Sequence, residues 1–208
     1  MNEVKIDRKI AIDLLEWAGK KNPGTWIDHS YNVAIAAERI AEKCDLNIDL
    51  AYIFGLLHDI GRYEGVTNIR HVLAGYNLMK EKGYSDVARI CLTHSFPDQN
   101  IRSFAGIIDC SPEEMNFIET EIKKLQYNDY DKLIQLCDGI GIGEGMTLLE
   151  IRIVDVVKRY GFNEFTQEKW KAFFEVKEYF EKEYDISIYG LFEKDIINTI
   201  FKRKPNGT

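Results

Sequence analysis

Apolar residues along this chain recur mostly at intervals of three and four, the period that gathers them on one face of an α-helix. Ile10, Leu14, Leu15 and Trp17 do so between Asp7 and Lys20, and Asn22-Pro23-Gly24 then marks a turn. The next run, capped by Thr25 or Asp28 and reaching about Lys43, repeats the pattern as His29, Val33, Ala36, Ala37 and Ile40. A histidine therefore shares the inward stripe. Ile48 to Ile60 is apolar on almost every side, the mark of a central core helix, and Gly61 is placed to end it.

After a polar loop over Arg62 to Arg70, helical pattern resumes at His71 with Ala74, Gly75, Leu78 and Met79, and stops at Gly83. Ser85 or Asp86 caps a short helix with Val87, Ile90, Cys91 and His94 on one face, ended by Phe96-Pro97. Residues 97–112 are irregular and read as a candidate flap. Ser111-Pro112-Glu113-Glu114 opens a helix to about Leu125, and another from Tyr130 carries Leu133, Ile134, Cys137 and Asp138. Helices are predicted at Leu148 to Tyr160, Thr166 to Tyr184 and Leu191 to Arg203. The aromatic stripe Trp170, Phe173, Phe174, Phe180 reads as core packing. Asp185 to Tyr189 has some strand character, but one isolated strand makes no sheet. With no internal repeat and no low-complexity linker, the pattern predicts a single all-α domain over 1–208.

Composition narrows the function. The 208 residues are 45% hydrophobic and 29% charged, with net charge −7, as in an ordinary globular protein. No stretch concentrates Lys and Arg among aromatics, so a nucleic-acid partner is not expected. An acidic surface still admits a phosphorylated substrate, because a metal can supply positive charge locally. Cys44, Cys91, Cys110 and Cys137 form no close pair and lie in or beside apolar runs, which predicts reduced core thiols. Glu3, Lys5, Asp7, Arg8 and Lys9 stand where a signal peptide would need an apolar core. No run approaches the ~20 apolar residues of a membrane span. The expected location is the cytoplasm, without membrane attachment.

Candidate chemistry centres on Ile53-Phe-Gly-Leu-Leu-His58-Asp59-Ile60-Gly61-Arg62. An apolar helix that delivers adjacent imidazole and carboxylate groups is badly accounted for by packing, since both need polar partners when buried. The other three histidines, His29, His71 and His94, lie at predicted helix ends or on apolar faces, and Asp138 interrupts an apolar stripe. Each alone reads as a hydrogen-bonded core residue or a helix cap. Their coincidence with the His-Asp pair favours one or two divalent ions. Nitrogen and oxygen donors without thiolates suit Fe, Mn, Zn, Ni or Mg.

The ordered set His29…His58-Asp59…Asp138, with His-Asp-Ile-Gly at 58–61, resembles the HD-domain superfamily of metal-dependent phosphohydrolases. The likeness covers roughly 25–160 and leaves a helical extension over 161–208. It implies an HD-like helical fold with the metal site in the helix core. His29, His58, Asp59 and Asp138 would bind a first metal. His71 and His94 match the extra histidines of binuclear members, in which Asp59 bridges both ions. The implied activity is hydrolysis of a small phosphorylated substrate, a nucleotide above all, by metal-activated water. Asp59 is then catalytic and Arg62 a phosphate ligand, with Arg70 and Arg102 as weaker candidates for distal phosphates.

His94 is followed by Ser95 where some binuclear members have a His pair, and Gly75-Tyr76-Asn77 replaces the Gly-Tyr-Pro of HD-type cyclic-dinucleotide phosphodiesterases. That substrate class is therefore disfavoured. The segment Gly139-Ile-Gly-Ile-Gly-Glu-Gly145 follows a predicted helix rather than a strand, so it is no nucleotide fingerprint and is expected to line the site mouth. Two rivals remain: a di-iron HD-domain oxygenase acting on a small organic substrate, and a non-catalytic nucleotide sensor. In the second, the acidic helices from Gly161 onward would be a partner or homodimer surface.

Overall fold

Asp7 opens the first helix by accepting the amide of Ile10 at 2.8 Å, as an N-cap carboxylate should. In this computed structural model, which describes residues 6–201, that helix is α1 (Arg8–Lys21), followed by α2 (Trp26–Lys43) and α3 (Ile48–Leu57). A 3₁₀ turn (Ile60–Glu64) leads to α4 (Arg70–Glu81) and α5 (Ser85–Thr93). A second 3₁₀ turn (Ile101–Ser103) precedes α6 (Pro112–Lys124) and α7 (Asp129–Ile140). The hairpin β1 (Gly141–Ile142) and β2 (Gly145–Met146) comes next, then α8 (Leu149–Tyr160), α9 (Thr166–Glu183), α10 (Ile188–Leu191) and α11 (Glu193–Phe201). The predicted all-α class holds. The ends at 1–5 and 202–208, including the predicted terminus at Arg203, lie outside the described residues.

Capping residues fix several of these starts. Asn47 accepts Leu50 N at 2.9 Å, while Ser111 with Glu114 and Asn128 with Asp131 form reciprocal capping boxes. Thr25, expected as a cap, makes no side-chain cap bond.

Two hydrophobic clusters organise the helices. The larger joins Leu15, Val33, Ile40, Leu56, Leu57, Leu133, Leu136 and Phe180 from α1, α2, α3, α7 and α9. Small residues let α2 and α3 cross closely: a Cβ on Gly55 would come 2.7 Å from Ala34 Cα. The second cluster, Val72, Leu73, Leu92, Phe96, Ile118 and Ile122, lies among α4, α5 and α6. Buried Asp131 ties α7 to α5: it accepts from Arg89 Nη2 at 2.6 Å and Thr93 Oγ1 at 2.8 Å.

The structure corrects several expectations. α3 stops at Leu57, not Ile60, and the chain tightens into the 3₁₀ turn. Gly61 lies inside that turn instead of ending a helix, because a Cβ there would collide with the backbone of His71 and Gly75. Asp185 to Tyr189 forms no strand; Ser187 caps α10 through Gly190 N. The strands instead fall in the glycine-rich segment, paired as Gly141↔Met146 and Ile142↔Gly145. Of the aromatic stripe, Phe180 is buried in the core and Phe173 and Phe174 pack against it, but Trp170 lines a cavity, as Phe173 also does. The irregular 97–112 stretch is pinned at its start by Gln99 Nε2 donating to Leu125 O at 2.8 Å. Cys44, Cys91 and Cys137 are buried free thiols and Cys110 is half-buried. No helix of the described residues is long and apolar enough to cross a membrane.

Candidate metal centre

Five segments deliver the polar residues that stand out in the sequence. His29 comes from the first turn of α2, and His58 and Asp59 follow the last turn of α3. His71 is in the first turn of α4, His94 caps α5, and Asp138 is in the last turn of α7. The structure brings all six together.

The imidazoles are oriented by main-chain carbonyls. His58 Nδ1 lies 2.7 Å from Gly55 O, His94 Nδ1 2.9 Å from Cys91 O, and His29 Nδ1 3.1 Å from Gly141 O. His71 Nδ1 is in close contact with Asn68 O. A carbonyl can only accept, so this network assigns the proton of each neutral ring to Nδ1. Every Nε2 lone pair then faces inward. His29 Nε2 and His58 Nε2 stand 3.2 Å apart, as do His71 Nε2 and His94 Nε2.

Facing lone pairs at that separation repel unless a cation lies between them. A first-row ion about 2.0–2.1 Å from each nitrogen fits donors so placed. This is the outer-shell arrangement of metal-binding histidines, whose second nitrogen is held by a carbonyl or carboxylate.

The carboxylates complete two adjoining sets. Asp138 Oδ1 lies 3.1 Å from His29 Nε2 and 3.8 Å from His58 Nε2. Asp59 Oδ1 lies 3.1 Å from His71 Nε2 and 3.5 Å from His94 Nε2, and Asp59 Oδ2 is 3.9 Å from His58 Nε2. With the His71 proton turned towards Asn68, Asp59 Oδ1 receives no hydrogen bond and is a buried orphan acceptor. Buried polar atoms are rarely left so. The orphan oxygen and the facing imidazoles together fit a divalent cation.

Local electrostatics keep the donors in ligating form. Burial would raise the Asp59 carboxyl, but above all the Arg62 guanidinium holds it well below the usual range. Burial pushes the His58 imidazole down to about 4, against the pull of Asp59 and Asp138. It lowers His71 as well, assisted by Arg62. Asp138 is lowered despite burial, by the hydrogen bond that His29 offers once its ring also carries a proton on Nε2. Neutral imidazoles beside ionised carboxylates are what metal coordination requires.

A cavity of about 730 Å³ opens onto His29, Asp59, His71, His94 and Asp138. Arg62 lines it, its Nε fixed on Asp59 Oδ2 at 2.5 Å. Gly139, Ile142, Gly143 and Glu144 of the glycine-rich segment also line it. Arg70 and Arg102, considered for distal phosphates, do not line the cavity; they are engaged by Glu64 with Glu114 and by Glu164, respectively.

The sequence reading missed Lys169, Arg152 and Arg159 in the cavity wall, and Gly141, whose carbonyl orients His29. The period of α8 and α9 shows which face turns inward but not that a cavity lies beneath it. A backbone carbonyl leaves no sequence signal at all.

Comparison with known families gives a match of the HD domain family model to residues 26–160. Neither the curated proteins nor the solved structures gave a match.

Proposed function

The chain belongs to the HD domain family, and on that premise we propose that it is a metal-dependent phosphohydrolase acting on a nucleotide or related small phosphate ester. The observation that carries the reading is the pair of facing-imidazole sets joined by Asp59, with a guanidinium fixed on that same carboxylate. In this reading His29, His58, Asp59 and Asp138 would hold one divalent ion, and His71 and His94, with Asp59, would hold a second.

A bound divalent ion supplies Lewis-acid polarisation of a phosphoryl oxygen and lowers the pKa of coordinated water. The protein does the rest. Asp59 is kept ionised by Arg62, so one oxygen stays available towards each donor set. The imidazoles complete the shells without adding negative charge that would repel a phosphate. Arg62 is anchored through Nε, and its Nη2 donor, without a partner among the described residues, would take a phosphoryl oxygen. Phe104, Trp170 and Phe173 give the cavity an aromatic wall. The volume suits a nucleotide-sized ligand.

Asp59→Ala is expected to abolish both bound metal, read by elemental analysis, and phosphate release on a nucleotide and phosphomonoester panel. Its far-UV circular dichroism should keep the helical signal. Hydrolysis retained in that variant overturns the mechanism, as would iron-dependent oxygen consumption by the wild type without phosphate release.

A further inference from the structure

One cation in the cavity has no part in the chemistry of the metal centre. Lys169, on the first turn of α9, lines the same cavity as His71, His94 and Asp138. The other cavity cations are all engaged: Arg62 with Asp59 at 2.5 Å, Arg159 with Asp155 at 2.9 Å, and Arg152 with the same carboxylate at 3.8 Å. The Lys169 ammonium makes no ion pair and no hydrogen bond among the described residues, its neighbours being the rings of Phe96 and Phe104.

Its ammonium stands 5.8 Å from the centre of the Phe104 ring and 5.9 Å from that of Phe96. Phe104 in turn lies 6.4 Å, centre to centre, from His71. Lys169 is thus a neighbour of the metal donors at one ring's remove, whereas Arg62 is beside them. Burial pushes the ammonium down to about 8, although Asp98 and Asp138 pull the other way. A half-buried cation against aromatic rings, unpaired, carries a desolvation cost that an arriving anion would offset.

Resting on the phosphohydrolase reading, we propose that Lys169 is a specificity-determining residue that grips a second anionic group of the substrate. The enzyme would therefore favour molecules whose scissile phosphate continues into further phosphates over simple monoesters. Arg62 would serve the reacting phosphoryl group and Lys169 the chain beyond it.

Calorimetric titration of the full chain loaded with Mn²⁺ tests this, using inorganic tripolyphosphate and orthophosphate as probes. Lys169→Met should weaken tripolyphosphate binding by about tenfold or more, the scale of one lost charge-assisted contact. Orthophosphate binding should stay within about twofold by the same scale, and Lys169→Arg should restore most of the loss. Lys171→Met, which removes an exposed charge two residues away, should change neither.

With a nucleoside triphosphate, Lys169→Met should raise KM and leave kcat nearly unchanged, while p-nitrophenyl phosphate turnover is unaffected. Equal weakening of both probes, loss of neither, or no tripolyphosphate binding by the wild type overturns the proposal. A merely structural attraction to Asp98 would lower the unfolding temperature without changing the ratio between probes. If the wild type hydrolyses nothing, the phosphohydrolase reading fails, and the binding pair still decides the role of Lys169.

Discussion

Two buried carboxylates show how a residue's surroundings separate support from chemistry. Asp131 accepts from Arg89, Thr93 and the amide of Asn128, so its charge is fully met by the protein. Asp59 has one oxygen met by Arg62 and the other by nothing among the described residues. Burial alone would not distinguish them; satisfaction does. The same local electrostatics make stability depend on pH. His58 titrates near 4 in the folded state against 6.5 in the ordinary imidazole, so between those values the unfolded chain binds the extra proton. The contribution is fully present above pH 6.5 and is lost as pH falls towards 4, by up to about 3 kcal/mol for this one group. The depressed Asp59 and Asp138 act in the same direction at lower pH. Urea midpoints of the metal-free protein should therefore fall between pH 7 and pH 5. A midpoint that rises over that interval would contradict this account of His58.

Among the elements, Gly61 couples fold to site. It passes so close to the start of α4 that no side chain fits between it and the His71 backbone, and His58, Asp59 and Arg62 all lie within three residues of it. Gly61→Ala should destabilise the protein by at least about 2 kcal/mol, because backbone rather than a flexible side chain must give way. It should also weaken metal binding by parting His71 from Asp59; thermal unfolding and metal titration would check the two effects. Helices were largely legible in the sequence because a 3.6-residue period and capping residues such as Ser111 are local signals. What escaped was set by distant contacts. α3 ends early because α4 presses on the turn after it. The glycine-rich segment forms a hairpin because its carbonyls meet His29 and Asn32 of α2, Asn32 Nδ2 lying 2.6 Å from Ile142 O. The stretch at Asp185–Tyr189 had β-branched residues but no neighbouring strand to pair with.

For the whole molecule, the donors link segments that are far apart in sequence. The site was legible because all four histidines of the chain, and an aspartate within an apolar stripe, stand where packing alone calls for hydrocarbon. The cavity wall was not, because Lys169 and Trp170 belong to a helix that reads as ordinary packing. An ion bound across α2, α4, α5 and α7 stabilises only the folded chain. Adding Mn²⁺ at about a hundred times its dissociation constant should raise stability by about 2.7 kcal/mol, and chelation should reverse the shift in unfolding temperature. An unfolding temperature indifferent to chelator would mean that no ion holds these helices together.

Each imidazole is tethered through its far nitrogen to a peptide oxygen, so the aperture between the near nitrogens is a property of helix spacing and not of side-chain rotation. Such a cage selects by ionic radius. Calcium, which needs oxygen-rich shells at about 2.3–2.6 Å, would have to spread the bundle to enter, and the protein should pass over it for smaller, nitrogen-loving ions even where calcium is abundant.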